Sequence, residues 1–207
     1  MRRKSLPTGC TFHLSSLPRP MNTLIQKMRS IYPLSDATVE AFCSQLQWCH
    51  FPKRHLIVRE GTYCKSVYFI EKGMTRHYWL VNGEEINTSF SIEGGMLFSM
   101  DEVYYNQPSQ EYIETIEEVD AYRISIDRLN ALYASNIELA NWGRVIHQNE
   151  YRRLHRSHKE LITLPAKERY EAFTREFPEV AQRANLGHIA SYLGITLPTL
   201  SRLRGRK

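Results

Sequence analysis

The stretch "MTRHYWLVNGEEINTSFSI", residues 74–92, decides how the rest of the chain is read. At its centre Asn82-Gly83 separates two β-prone runs. Both central positions of a type I′ turn need positive φ, which glycine adopts freely and asparagine tolerates, so the pair predicts a tight antiparallel hairpin. Further short strand-like runs lie on either side: "HLIVREG" (55–61), "SVYFIEKG" (66–73) and "YIETIEEVDAYRIS" (112–125), punctuated by Gly61, Gly73 and Gly83. "EGGML" (93–97) is a turn. From Phe51 to about Ser125 this spacing predicts an antiparallel barrel or jelly roll.

On both sides of the barrel the periodicity is helical. Leu24, Ile25, Met28 and Ile31, then Val39, Phe42 and Leu46 after Pro33, place apolar residues at helical spacing up to about Trp48. A long helical tract runs from about Ile126 to Pro165, with Trp142, Val145, Ile146, Leu154, Leu161 and Ile162 as its apolar members. Two readings of it stay open: a helix lying on its own barrel, or a dimerisation helix with a partly polar seam. The fold class is therefore α+β.

Charge divides the chain. Residues 21–140 carry 10 Lys and Arg against 16 Asp and Glu, whereas residues 141–207 carry 13 against 6. An acidic module joined to a basic one points to a polyanionic partner, most often nucleic acid. The four cysteines lack zinc-site spacing and disulfide density, which places the chain in a reducing cytoplasm. No run approaches a membrane span, so no membrane partner is expected. The opening "MRRKSLPTGCTFHLSSLPRP" (1–20) is interrupted by prolines and a glycine, and reads as a disordered tail or an extension of the gene model.

Enzymatic readings find little support. A barrel metalloenzyme needs three or more clustered ligands, but the barrel holds only His55 and His77, on different expected strands. His147, His155 and His158 sit in the helical tract, where a solvated cationic face is the simpler account. Nucleophile elbow, Walker loop and dinucleotide fingerprint are all missing. We expect no enzyme, no metal and no cofactor.

The last segment, "IASYLGITLPTLSRLRGRK" (189–207), carries the function. Ile189, Ala190 and Leu193 share one face of a short helix, Gly194 supplies the turn and Ile195 plugs the corner. Thr196 is a good N-cap, Pro198 fits the first turn, and Leu200 and Leu203 face back toward Leu193. Thr196, Pro198, Thr199, Ser201, Arg202, Arg204 and Arg206 remain for the outer surface of a helix-turn-helix able to enter the major groove.

With these residues in view, the chain after Met21 resembles the Crp-Fnr transcription regulators. "LPAKERYEAFTREFP" and "HIASYLGITLPTLSRLRGRK" are similar to sequences of its Bacteroidetes-type members, and "REGTYCKSVYFIEKGMTRHY" agrees in order and spacing. The resemblance implies a cyclic-nucleotide-binding-like barrel with N-terminal helices (21–130), a long dimerisation helix (131–164) and a helix-turn-helix domain (165–207). It also implies a homodimer on double-stranded DNA, with RNA polymerase and an unknown small-molecule effector as further partners.

Three departures qualify it. Nucleotide-binding members carry a Gly-Glu pair followed downstream by Arg-Ser or Arg-Thr, the arginine neutralising the cyclic phosphate. In "GGMLFSMDEVYYNQPSQEYIE" the matching positions are Ser99, Ser109 and Gln110, the candidate effector residues, and none is a cation. Burying an unpaired phosphate costs several kcal/mol, so cyclic AMP in the usual mode is not expected unless Arg76 or Lys72 substitutes. The N-terminal cysteine cluster of oxygen sensors is also missing, and no β-hairpin wing is expected after Gly205. A different class stays open beside this one: a small-molecule-binding signalling module whose helix-turn-helix makes protein contacts.

Overall fold

The computed structural model describes residues 21–205; the stretch 1–20, Arg206 and Lys207 lie outside the described residues. Two helices come first, α1 (Asn22–Ile31) and α2 (Asp36–Cys43). The barrel follows as β1 (Gln47–Phe51), β2 (Leu56–Val58), β3 (Ser66–Lys72), β4 (Thr75–Val81), β5 (Glu84–Ser91), β6 (Met96–Leu97), α3 (Met100–Tyr105), β7 (Tyr112–Thr115) and β8 (Val119–Ser125). Next come α4 (Ile126–Ser135), α5 (Ile137–Thr163), α6 (Ala166–Glu176), α7 (Pro178–Arg183), α8 (Leu186–Tyr192) and α9 (Leu197–Arg204).

The strands form two four-stranded sheets, ordered β1-β8-β3-β6 and β2-β7-β4-β5, and their pairings are antiparallel. The hairpin expected at Asn82-Gly83 joins β4 to β5, with φ of 54° and 85° at the two turn residues. Three expectations are corrected. The helical reading up to Trp48 fails because α2 stops at Cys43, and Trp48 instead pairs with Tyr122 across β1 and β8. The run 112–125 is two strands in different sheets, parted after Thr115. The tract from Ile126 is not one helix: at Asn136 the backbone is extended, and its side chain caps α5 by accepting from the Leu139 N–H.

Three apolar clusters organise the packing. In the first, Val67, Phe69, Tyr122 and Ile124 of the β1-β8-β3-β6 sheet meet Leu24, Met28, Val39, Phe42, Leu129, Leu139 and Trp142 from the flanking helices. Trp142 is only 2% exposed and packs edge-on to Phe42 at 5.5 Å. The start of α5 therefore lies on its own barrel. The second cluster, including Tyr68, Ile70, Ile113 and Val119, joins residues of both sheets. The third joins Met74 and Phe90 of the barrel to Phe173, Val180, Ile189, Ala190, Leu193 and Leu200 of the C-terminal helices. Thr75 to Tyr78 are consequently buried without alternation, as expected for a strand covered on both faces.

Candidate nucleic-acid interface and barrel cassette

Helix α8 ends in a paired hydrogen-bond motif. The Gly194 N–H donates to Ser191 O at 3.1 Å and the Ile195 N–H to Ala190 O at 3.0 Å, with Gly194 at φ 63°. Both bonds satisfy carbonyls that the helix end would leave open, and they reverse the chain into α9. The Thr196 hydroxyl then accepts from the Thr199 N–H as the N-cap of α9. Leu200 is fully buried and Leu203 half-buried.

The opposite side of α9 is open. Thr196, Leu197, Pro198, Ser201, Arg202 and Arg204 are exposed and Thr199 is half-buried. Arg202 donates to the Thr199 hydroxyl at 3.3 Å, and among the described residues neither Arg202 nor Arg204 forms an ion pair. Six of the seven expected DNA contacts are thus gathered on one helix. The seventh, Arg206, lies outside the described residues.

Ionic and polar contacts set the helix pair against the barrel. Arg183 of α7 donates to Glu117 at 3.0 and 2.6 Å and to Glu93 at 2.8 and 2.9 Å. Glu93 also accepts the Gly73 N–H at 2.8 Å. Gly73 has φ 99°, and a Cβ there would stand 2.2 Å from Glu118 O, so glycine is required. One arginine thereby holds three connections of the barrel: β3–β4, β5–β6 and β7–β8. Burial alone would raise the Glu93 carboxyl, but the Arg183 bonds and the backbone N–H groups outweigh it and hold it below the usual carboxylate range.

A second cluster lies under α8. Arg76, nearly buried, reaches Glu114 at 2.6 Å and Glu85 at 2.6 Å and lies over the Tyr78 ring at 4.1 Å. The Ser191 hydroxyl accepts the Asn87 N–H and donates to Glu85 O, tying α8 to β5. Burial, then the nearby Arg76 charge, pushes His188 below the usual histidine value. Burial and the two glutamates push Tyr78 up to about 12. Arg76 is thus engaged by two carboxylates beneath α8.

The side chains at the cassette positions bond within their own chain. Ser99 and Ser109 are buried: the Ser99 hydroxyl accepts the Glu102 N–H, and the Ser109 hydroxyl donates to Glu111 O. The Gln110 N–H and side-chain amide both donate to Asp101, at 2.9 and 3.1 Å. Buried Glu102 accepts the Cys64 N–H at 2.8 Å and also the Lys65 N–H. The structure brings Ser109 and Gln110 beside α3, whose N-cap is Ser99, but each polar group is turned to a local partner.

The histidines are dispersed. His77 lies in β4 near Glu111 and Ser91, His147 contacts Tyr104, and His155 stacks on Tyr151. Among the described residues, no group of three or more His, Cys, Asp or Glu is placed to hold a metal. Sequence reasoning missed Arg183, Glu102 and Leu197. Only Leu197 left a local signal, since it stands off the Leu200/Leu203 face of its helix.

Residues 48–136 match the cyclic nucleotide-binding domain family. No curated protein is similar enough in sequence to match. FixK2 from Bradyrhizobium japonicum is similar in structure, with TM-score 0.69 and 20% identity over 78% of this chain and 83% of that one. The c-di-GMP responsive global regulator CLP of Xanthomonas campestris aligns with TM-score 0.64 and 15% identity, covering 83% of this chain and 91% of its own. A Crp/Fnr-family transcriptional regulator from Eubacterium rectale gives TM-score 0.64 and 17% identity, over 82% of each chain. The barrel order, the helices behind it and these neighbours agree: residues 48–136 are similar to a cyclic nucleotide-binding domain, and the chain has the fold of the Crp-Fnr family regulators.

Proposed function

We propose that this chain is a sequence-specific, DNA-binding transcription regulator of the cytoplasm, acting as a homodimer and independent of cyclic AMP. The observation that carries the reading is the outer face of α9: arginines without acid partners, beside small polar residues, on a helix whose inner face is anchored by Leu200. Such a face suits a groove lined by phosphates and base edges. α8 and α9 are then a helix-turn-helix with α9 as recognition helix, and RNA polymerase is the machinery that such a regulator acts upon. Residues 21–130 serve as effector barrel, 131–164 as connecting and dimerisation segment, and 165–207 as DNA-binding domain.

Dimerisation fits the second half of α5. Arg153, Ser157 and Glu160 face the chain's own C-terminal helices, Arg153 lying 5.9 Å from the Phe177 ring and the other two lining a cavity with Phe173 and Tyr192. At 100° per residue, Tyr151, His155, His158 and Ile162 fall on the opposite side, and all four are exposed. This is the partly polar seam left open by the sequence, and it excludes Trp142. Cyclic AMP is disfavoured because Ser109, no cation, holds the cassette arginine position and bonds to Glu111 O, while Asp101 takes both donors of its neighbour Gln110.

Selection from random duplex DNA, without added nucleotide, tests the whole reading. The expected product is a two-fold symmetric motif whose half-sites are centred about 34 Å, one helical turn, apart. Added cyclic AMP should leave its affinity unchanged. Recovery of no motif refutes DNA reading, and a motif without symmetry refutes the dimer.

A further inference from the structure

We infer that Leu197 is a specificity-determining residue that recognises the 5-methyl group of a thymine in each half-site. The inference rests on the reading of α9 as the recognition helix. Leu197 is 46% exposed, at the first helical position, directly after the cap Thr196. It is not part of the apolar cluster that holds Leu200, Ile195 and Leu193. Its neighbours on the open side are Pro198, Ser201 and Arg202, so a branched apolar side chain stands, with only the proline ring beside it, on a surface otherwise suited to water or phosphate.

The groove supplies one apolar feature for such a group. In the major groove, base edges offer donors and acceptors throughout, and the thymine methyl is the only carbon group that a leucine can cover. The first turn of a recognition helix is also the part that reaches base edges most directly. Leu197 and Ser201, four residues apart, share one flank of α9, whereas Arg202 lies on the other. The five-residue offset from Leu197 to Arg202 spans about 7.5 Å of helix axis, or about two base steps at 3.4 Å each. On the same reading Arg202, the long side chain of this face, takes guanine O6 and N7, and the thymine should lie within about two base pairs of that guanine.

Replacing thymine by uracil removes the methyl and leaves every hydrogen-bonding group in place. Each thymine of the selected operator is exchanged singly in one half-site, and wild type, Leu197→Ala and Leu197→Met are titrated at fixed salt. At one position the wild type should lose about fourfold, the value of one buried methyl, and about fifteenfold when both half-sites are changed. Leu197→Ala should bind both operators alike, and Leu197→Met, which keeps an apolar arm, should retain part of the preference. If uracil at every thymine changes wild-type binding by less than about twofold, or weakens Leu197→Ala as much as wild type, the assignment is overturned while DNA reading stands. A wild type that holds the operator no better than random duplex overturns DNA reading and this assignment together.

Discussion

The cassette around α3 and the outer face of α9 are both polar, and they treat their polar groups in opposite ways. In the cassette, Asp101 accepts two bonds from Gln110, Glu102 accepts the N–H groups of Cys64 and Lys65, and the Ser99 and Ser109 hydroxyls are buried and bonded. On α9, Arg202 and Arg204 reach into solvent with no carboxylate among the described residues. A group satisfied inside its own chain would have to lose that bond before it could hold a ligand, whereas an exposed cation loses only water. By this criterion a ligand would meet a higher cost at the barrel end than at the helix.

The contrast can be broken first at Glu102. The residue is 5% exposed, and its carboxylate accepts two backbone N–H groups of the 64–65 loop. Glu102→Ala leaves both donors without a partner, so about 2–4 kcal/mol of stability should be lost, read by denaturant titration. Affinity for the selected operator, measured where the variant is folded, should stay within about twofold. A stable variant with altered operator affinity would make Glu102 part of the response instead of the scaffold.

The second test sharpens the other half. Arg202→Ala should lose about 1–3 kcal/mol of operator affinity at one base pair per half-site, because a bidentate contact to guanine O6 and N7 is removed. Thermal stability should barely move, since the side chain is exposed. Arg204→Ala should do less. It should weaken operator and random duplex alike and lower the salt slope by about one unit for each site lost, as expected for a phosphate contact. A uniform loss from Arg202→Ala, matching that of Arg204→Ala, would mean that α9 is rotated in the groove.

How far the sequence could be read follows the same division. The Asn82-Gly83 turn, the Gly194 reversal, the Thr196 cap and the Leu200 anchor were legible because each rests on local backbone chemistry within a few residues. Trp48 was misplaced because its strand partner, Tyr122, lies far away in the chain, and local periodicity holds no record of that pairing. Trp142 pointed equally well to a barrel contact or a seam until Phe42 and Phe69 were seen around it. The Arg183 fork was invisible, since Glu93 and Glu117 come to it from two separate barrel connections. For the cassette, the resemblance implies that a cation is missing; the fold adds that Asp101 accepts both Gln110 donors.

The smallest expected effect lies between the two regions, at His188. This residue sits on α8, packed toward the barrel cluster of Arg76, Glu85 and Glu114, and burial together with Arg76 depresses its affinity for a proton. A histidine with a folded value below its unfolded one binds fewer protons when folded. Its contribution to stability is therefore complete above about pH 6.5 and is lost as pH falls through the lowered folded value. His55 and His147 are depressed in the same direction, and Glu93 adds a further loss at lower pH, below the usual carboxylate range. Acidification should thus destabilise the folded chain between pH 7 and 5, and His188→Gln should remove only part of that slope. The other two histidines stand away from the C-terminal helices: His55 stacks on Phe51 in the barrel, and His147 meets Tyr104. Amide exchange distinguishes them, because protonating His188 should release protection in α8 and β5, where Ser191 ties the two together, before the rest of the barrel opens. If wild type and His188→Gln show the same acid slope and the same order of opening, the contact between α8 and the barrel does not respond to this histidine.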